Sequence, residues 1–136
     1  MKLLGAGINA EINFRDSEYM MPSWKFICHE FNSSFKKLLG DFFGIKKWDR
    51  AYDCDKFASM YCAMTAFSHF LSQKDEEKPV VGLAIGWCWY VRDAGGAHAI
   101  NFMFERSRGL SFIEPQGPYM VSLSKDEINS IDEAVI

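Results

Sequence analysis

The hydrophobic period of this chain changes once, at Pro79. Before that point apolar residues recur at three- and four-residue steps; after it they alternate or run together. From Pro22 to about Leu39, Trp24, Ile27, Cys28, Phe31, Phe35, Leu38 and Leu39 fall on one face of an amphipathic helix. Gly40 and Gly44 interrupt the pattern, leaving Asp41 to Lys47 as a turn or a short extra helix. A second helix is predicted from about Cys54 to Leu71, through Phe57, Ala58, Tyr61, Met64, Phe67 and Phe70. Asp53 stands before it as an N-cap, because a carboxylate can accept from an amide that has no partner inside the helix. The polar run from Ser72 to Pro79 then reads as an exposed loop.

Beyond Pro79, Val80 to Val91 is rich in Val, Ile, Trp and Tyr and predicts a central strand. Asp93-Ala94-Gly95-Gly96 is a turn signal. Ala97 to Glu105 alternates, with His98, Ile100, Phe102 and Phe104 on one face and Ala99, Asn101 and Met103 on the other. Ser107-Arg108-Gly109 turns the chain again, Leu110 to Glu114 is a strand ended by Pro115, and Tyr119 to Leu123 is a last strand. Ser124-Lys125-Asp126-Glu127 is a capping box that opens a final helix. Helices come first and an antiparallel sheet follows, which is an α+β order rather than a βαβ chain.

With 136 residues, 49 % of them hydrophobic, the chain reads as one packed domain over residues 1–136. Its formal charge is −3, and Lys36-Lys37 and Lys46-Lys47 are the only basic pairs, so no nucleic-acid partner is expected. Lys2 precedes an apolar run that stops at Gly5, short of a signal peptide, and no window has the roughly 18 apolar residues of a membrane span. The expectation is a cytoplasmic protein without a membrane partner; oligomeric state is not legible. The four cysteines, Cys28, Cys54, Cys62 and Cys88, form no CxxC pair, which excludes zinc-ribbon and thioredoxin readings.

Three polar residues fall where a thiol site would need them. Cys54 is in the first turn of a predicted helix, where unpaired amides and the helix dipole favour a thiolate. His98 starts a strand, and Glu114 ends the next, so a hairpin can bring carboxylate to imidazole. A thiol nucleophile needs a base, and the base needs an acceptor that sets its tautomer. Other thiols and imidazoles read as structural. Cys28 and His29 are neighbours on a helix and point about 100° apart. Cys62 and Cys88 read as packing, and His69 as a residue at a helix end.

Three words carry a resemblance: Tyr52-Asp53-Cys54-Asp55-Lys56-Phe57-Ala58, Gly96-Ala97-His98-Ala99-Ile100-Asn101, and Phe112-Ile113-Glu114-Pro115-Gln116. Together, in this order, they resemble the papain-like cysteine protease domain at the C-terminus of a fungal mushroom agglutinin and related small bacteriophage-encoded domains. The resemblance covers about Trp48 to Gln116 and implies a minimal papain-like fold, with N-terminal helices packed on an antiparallel sheet. It implies Cys54 as nucleophile, His98 as base and Glu114 as third member, with the Cys54 amide and the Gln116 side chain holding the oxyanion.

The fungal enzyme is calcium-dependent, and Asp49, Asp53 and Asp55 offer the oxygen ligands that calcium prefers. The same acids work against a thiolate unless a positive charge offsets them. Two departures stand out. Nothing here corresponds to the agglutinin's sugar-binding trefoil, so sugar recognition does not transfer, and Ala97 is inserted in the histidine word. The implied activity is a thiol hydrolase acting on a peptide or amide bond of a protein substrate, in a phage setting a host protein. The alternatives are an idle papain-like binding module that inhibits a partner, and a related acyl transfer such as deamidation or transglutamination.

Overall fold

The computed structural model describes residues 11–13, 18–45, 49, 52–73 and 81–136. Trp48 and the Lys46-Lys47 pair lie outside the described residues, as does most of the Ser72–Pro79 loop.

The first helical arm is built in three consecutive stretches: a π-helical Phe26–Phe31, an α-helical Asn32–Lys37 (α1) and a π-helical Leu38–Phe42. Its buried apolar residues, Ile27, Phe31, Phe35 and Leu39, recur every fourth position. In a pure α-helix each four-residue step drifts by about 40°, so the row would swing by roughly 120° along the arm. The wider π turns rotate less per residue and hold the row against the core. Their longer hydrogen bonds are visible where Asn32 N–H donates to Ile27 O and Phe43 N–H to Leu38 O. For the same reason the helix passes Leu39 and runs through Gly40 and Asp41, which the sequence placed at or beyond its end.

α2 spans Cys54–Gln73 and supplies Phe57, Ala58 and Tyr61 to the interior. The Tyr61 ring stands edge-on to Phe31 and to Phe35, each at 5.1 Å, which locks the arm to α2. Its hydroxyl donates to Asn32 Oδ1 at 2.6 Å.

The main sheet has the order β1-β8-β4-β5-β6-β7. Its strands are β1 Glu11–Asn13, β4 Ile85–Val91, β5 Ala97–Glu105, β6 Gly109–Glu114, β7 Tyr119–Val121 and β8 Glu133–Val135. From β8 to β7 all neighbours are antiparallel, and β1 adds a parallel edge. A separate parallel pair joins β2 Tyr19–Met20 to β3 Gly82–Leu83.

The strand predicted over Val80–Val91 is therefore broken, with residue 80 outside the described residues. The break falls at Ala84, whose N–H goes to Met20 O while its carbonyl takes Phe104 N–H, so two neighbours divide it. β8 reaches β4 because position 86 is glycine: a Cβ there would lie 2.2 Å from Val135 O and 2.7 Å from the Phe102 ring. α3, Lys125–Asn129, opens with the predicted capping box, Ser124 and Glu127 exchanging both bonds.

β5 is central, and its alternation divides the core. Met103 and Ile113 join the arm and α2 on one face of the sheet. Ile100, Phe102 and Phe112 join Cys88, Tyr90 and Ala134 on the other, with Ile128 of α3 packed alongside.

Candidate active site

Cys54 is the first residue of α2, half-buried, where its helix opens with Phe57 N–H donating to Asp53 O at 3.1 Å. The segment before it is tied down twice. Asp49 and Tyr52 exchange backbone bonds of 3.2 and 3.0 Å, and the Tyr52 ring packs edge-on to Phe57 at 4.5 Å.

The acids around Cys54 meet a lysine. Lys56 Nζ donates to Asp53 Oδ1 at 2.9 Å and to Asp55 Oδ1 at 3.1 Å. Asp53 is held below its ordinary range, first by a hydrogen bond with Asp55 and then by Lys56, and Lys56 is raised by the same two carboxylates. Among the described residues no group of three His, Cys, Asp or Glu side chains is arranged to hold a metal ion. The Lys56 ammonium group stands on Asp53 and Asp55, two of the three carboxylates, with Asp49, expected to ligate calcium.

His98 is the second residue of β5, 7 % exposed, with its ring edge-on to Tyr90 at 5.8 Å. The register that sets Asn101 against Ile113 carries Glu114 to the diagonal of His98 on the same face, within reach of a long side chain. Their bond is short: His98 Nε2 lies 2.7 Å from Glu114 Oε2. The second oxygen, Oε1, accepts Gln116 N–H at 3.1 Å, across the buried Pro115. Both oxygens of the carboxylate are thus engaged, which fixes its plane. Nε2 donates to the carboxylate, so Nδ1 is left as the ring nitrogen open to a third group.

Of the predicted residues, His98 and Glu114 are brought together. The Cys54 thiol makes no hydrogen bond among the described residues. α2 packs on the Asn101 and Met103 face of β5, whereas His98 belongs to the Tyr90 face, at the rim of the sheet. Gln116 contributes its backbone amide to Glu114, and the residue lines a cleft of about 510 Å³ with Ser33, Lys36, Lys37, Leu39 and Asp41.

Other residues have structural duties. His69 is buried and its Nε2 meets Val81 O at 3.0 Å. Burial pushes the Cys88 thiol up to about 12 and raises Cys28 as well. The turn after β5 is anchored by Glu105, whose Oε2 accepts from Ser107 N, Ser107 Oγ and Arg108 N. Arg108 in turn lies 3.8 Å over the Trp24 ring.

Sequence reasoning missed Asn101. Fully buried in mid-strand, it donates through Nδ2 to Ala58 O and Gly86 O, with Cys62 Sγ also 3.0 Å away. The available signal was a lone amide within the otherwise apolar run Ala99–Phe104.

Helices packed on an antiparallel sheet, with a carboxylate–imidazole pair at its rim, define an α+β fold that has solved counterparts. No protein-family profile and no curated protein sequence matches the chain. Among solved structures, the lectin of Polyporus squamosus, bound to the human-type influenza-binding epitope Neu5Aca2-6Galb1-4GlcNAc, superposes with a TM-score of 0.70 and 19 % identity. That match covers 98 % of this chain and 46 % of the lectin. A PSL1a–E64 complex gives a TM-score of 0.68 at 21 % identity, covering 93 % of this chain and 42 % of that one. The chain therefore spans less than half the length of either neighbour and shares its fold with part of a fungal lectin. No helix among the described residues is long and apolar enough to cross a membrane.

Proposed function

We propose that the chain is a papain-like thiol hydrolase that cleaves a peptide or amide bond with Cys54, His98 and Glu114. The 2.7 Å bond between His98 and Glu114 carries the reading, because a carboxylate that holds Nε2–H leaves Nδ1 as the proton acceptor for a thiol. Cys54 at the start of α2 adds the second support, since the amides and dipole of a helix start stabilise a thiolate. A third is the fold shared with PSL1a, which is known as a complex with E64.

In this mechanism His98 Nδ1 takes the Cys54 proton and the thiolate sulfur attacks the carbonyl carbon. The oxyanion that forms is held by the Cys54 amide and the Gln116 side chain. As the C–N bond breaks, the imidazolium gives its proton to the departing amine, and an S-acyl enzyme remains. His98 then takes a proton from water, whose oxygen attacks the thioester and releases acid and thiol. Glu114 accepts the Nε2–H bond throughout and offsets the charge on the ring.

Incubation with E64 followed by intact-mass measurement and peptide mapping tests the reading. A mass increase of one E64 molecule at Cys54, absent in Cys54→Ala and slowed in His98→Ala, is the expected result. A Cys54 that reacts no faster than Cys28 or Cys62 would refute it and leave the idle binding module as the surviving reading. Transfer of the acyl group to an amine instead of water uses the same residues and would appear as product distribution in a substrate screen.

A further inference from the structure

We propose that Asn101 is the positioning residue that sets the Cys54 helix against the His98 strand; the proposal rests on the thiol chemistry above. Asn101 stands at the middle of β5 on the face that meets α2, between the apolar Ala99 and Met103, and is 0 % exposed. Its Nδ2 is 3.0 Å from the Ala58 carbonyl of α2 and 3.0 Å from the Gly86 carbonyl of β4. An amide has two hydrogens, and carbonyl oxygens are stronger acceptors than the Cys62 sulfur that is also in reach. One side chain therefore bonds a helix and a strand while itself belonging to a second strand.

The arrangement is costly in one respect. Asn101 Oδ1 is buried and has no partner among the described residues, and an unmet buried acceptor opposes folding. Apolar contacts such as those of Met103 would hold α2 to the sheet but leave it free to slide and rotate. Two directed bonds remove that freedom. They act close to the site: Ala58 is one helical turn, about 6 Å of rise, from Cys54. His98 is three residues, about 10 Å of strand, from Asn101. A displacement of about 1 Å at a reacting pair can cost roughly a hundredfold in rate, so a clamp at this distance is felt at the thiol.

The test is iodoacetamide labelling of each cysteine from pH 5 to 9, in the natural chain and in Asn101→Ala, Asn101→Ser and His98→Ala, with thermal unfolding of each. The natural chain should show fast Cys54 labelling near pH 6 that His98→Ala removes. Asn101→Ala should lose about tenfold or more of that acid-side rate while keeping its rate at pH 9, where a thiolate needs no partner. Asn101→Ser retains one donor and should fall between the two, and it replaces the alanine variant if that one does not fold. A purely structural role would lower the melting temperature and unmask Cys62 and Cys88 without changing the pH profile of Cys54. A natural profile in both variants therefore overturns the proposal. If the natural chain itself labels like His98→Ala, the hydrolase reading fails, and amide exchange over residues 55–58 judges the clamp alone. Faster exchange in the Asn101 variants then upholds it, and unchanged exchange rejects it.

Discussion

His98 Nε2 and Glu114 Oε2 are 2.7 Å apart at the rim of the sheet, with side chains only 9 % and 14 % exposed. The bond selects one imidazole tautomer and stabilises the ring when it is charged. Glu114→Gln keeps an acceptor without charge, and Glu114→Ala keeps neither. Cys54 labelling near pH 6 should therefore fall in the order natural chain, glutamine, alanine, with the alanine variant slower by about tenfold or more. Equal rates in all three would detach Glu114 from the thiol.

Lys56 stands on two of the three carboxylates that the sequence offers to calcium. With its ammonium on Asp53 and Asp55, millimolar calcium should shift the melting temperature of the natural chain by less than about 1 °C, where 1 kcal/mol of binding moves a chain of this size by roughly 4 °C. Lys56→Gln frees both carboxylates, and calcium should then raise the melting temperature of the variant. A calcium-dependent rise of several degrees in the natural chain would show that the lysine yields its place to the cation.

Tyr61 donates to Asn32 Oδ1 at 2.6 Å inside the core between the arm and α2. Tyr61→Phe keeps the edge-on ring contacts and strands the Asn32 acceptor, which is 6 % exposed. The expected loss is about 1–3 kcal/mol in urea unfolding. Adding Asn32→Leu removes the stranded group and should recover part of that loss, a coupling that a double-mutant cycle measures directly.

Much of this architecture was legible because it repeats. β5 runs from Ala97 to Glu105 as its alternation predicts, and the Ser124–Glu127 capping box opens α3 as written. The His98–Glu114 pair was legible as a hairpin that brings carboxylate to imidazole, though not its diagonal register. β1, β2 and β8 were not, since two- and three-residue strands are too short to show a period, and their pairing is decided by distant partners such as Val135 against Gly86. Nor were the π turns, which answer to packing across the arm. The acids beside Cys54 were visible, but which cation answers them depends on where the Lys56 side chain turns. Asn101 read as one more residue on a strand face because its two carbonyl partners come from elements far away in sequence.

Glu105 gives the fold an acid-sensitive point. Three donors converge on its Oε2, and the Ser107 hydroxyl, foremost among them, holds the carboxyl below its ordinary value of 4.5. The unfolded chain then binds this proton at higher pH than the folded chain, so stability rises with pH across the interval between the two values. The contribution is complete above about pH 4.5 and is lost as pH falls through the lower, folded value. Glu105→Gln should be less stable than the natural chain at pH 7, with the gap closing as pH drops below 4.5. A gap that stays constant from pH 7 to pH 3 would show that the carboxylate charge has no part in holding the turn.

Gly86 is the position where a single carbon decides whether the sheet closes. Its missing Cβ leaves room for Val135 O, which a methyl group would meet at 2.2 Å, and the second obstacle, the Phe102 ring at 2.7 Å, is packed in the core. Backbone cannot yield as a flexible side chain does, so Gly86→Ala must push β8 off β4 or bend β4 away from β5. The second movement also displaces the Gly86 carbonyl from Asn101. Overpacking alone costs about 1–3 kcal/mol, and the expected loss lies at or above the top of that range. Urea unfolding measures it. Amide exchange in residues 133–135 distinguishes the two movements, since faster exchange there with β5 unchanged means that β8 has given way.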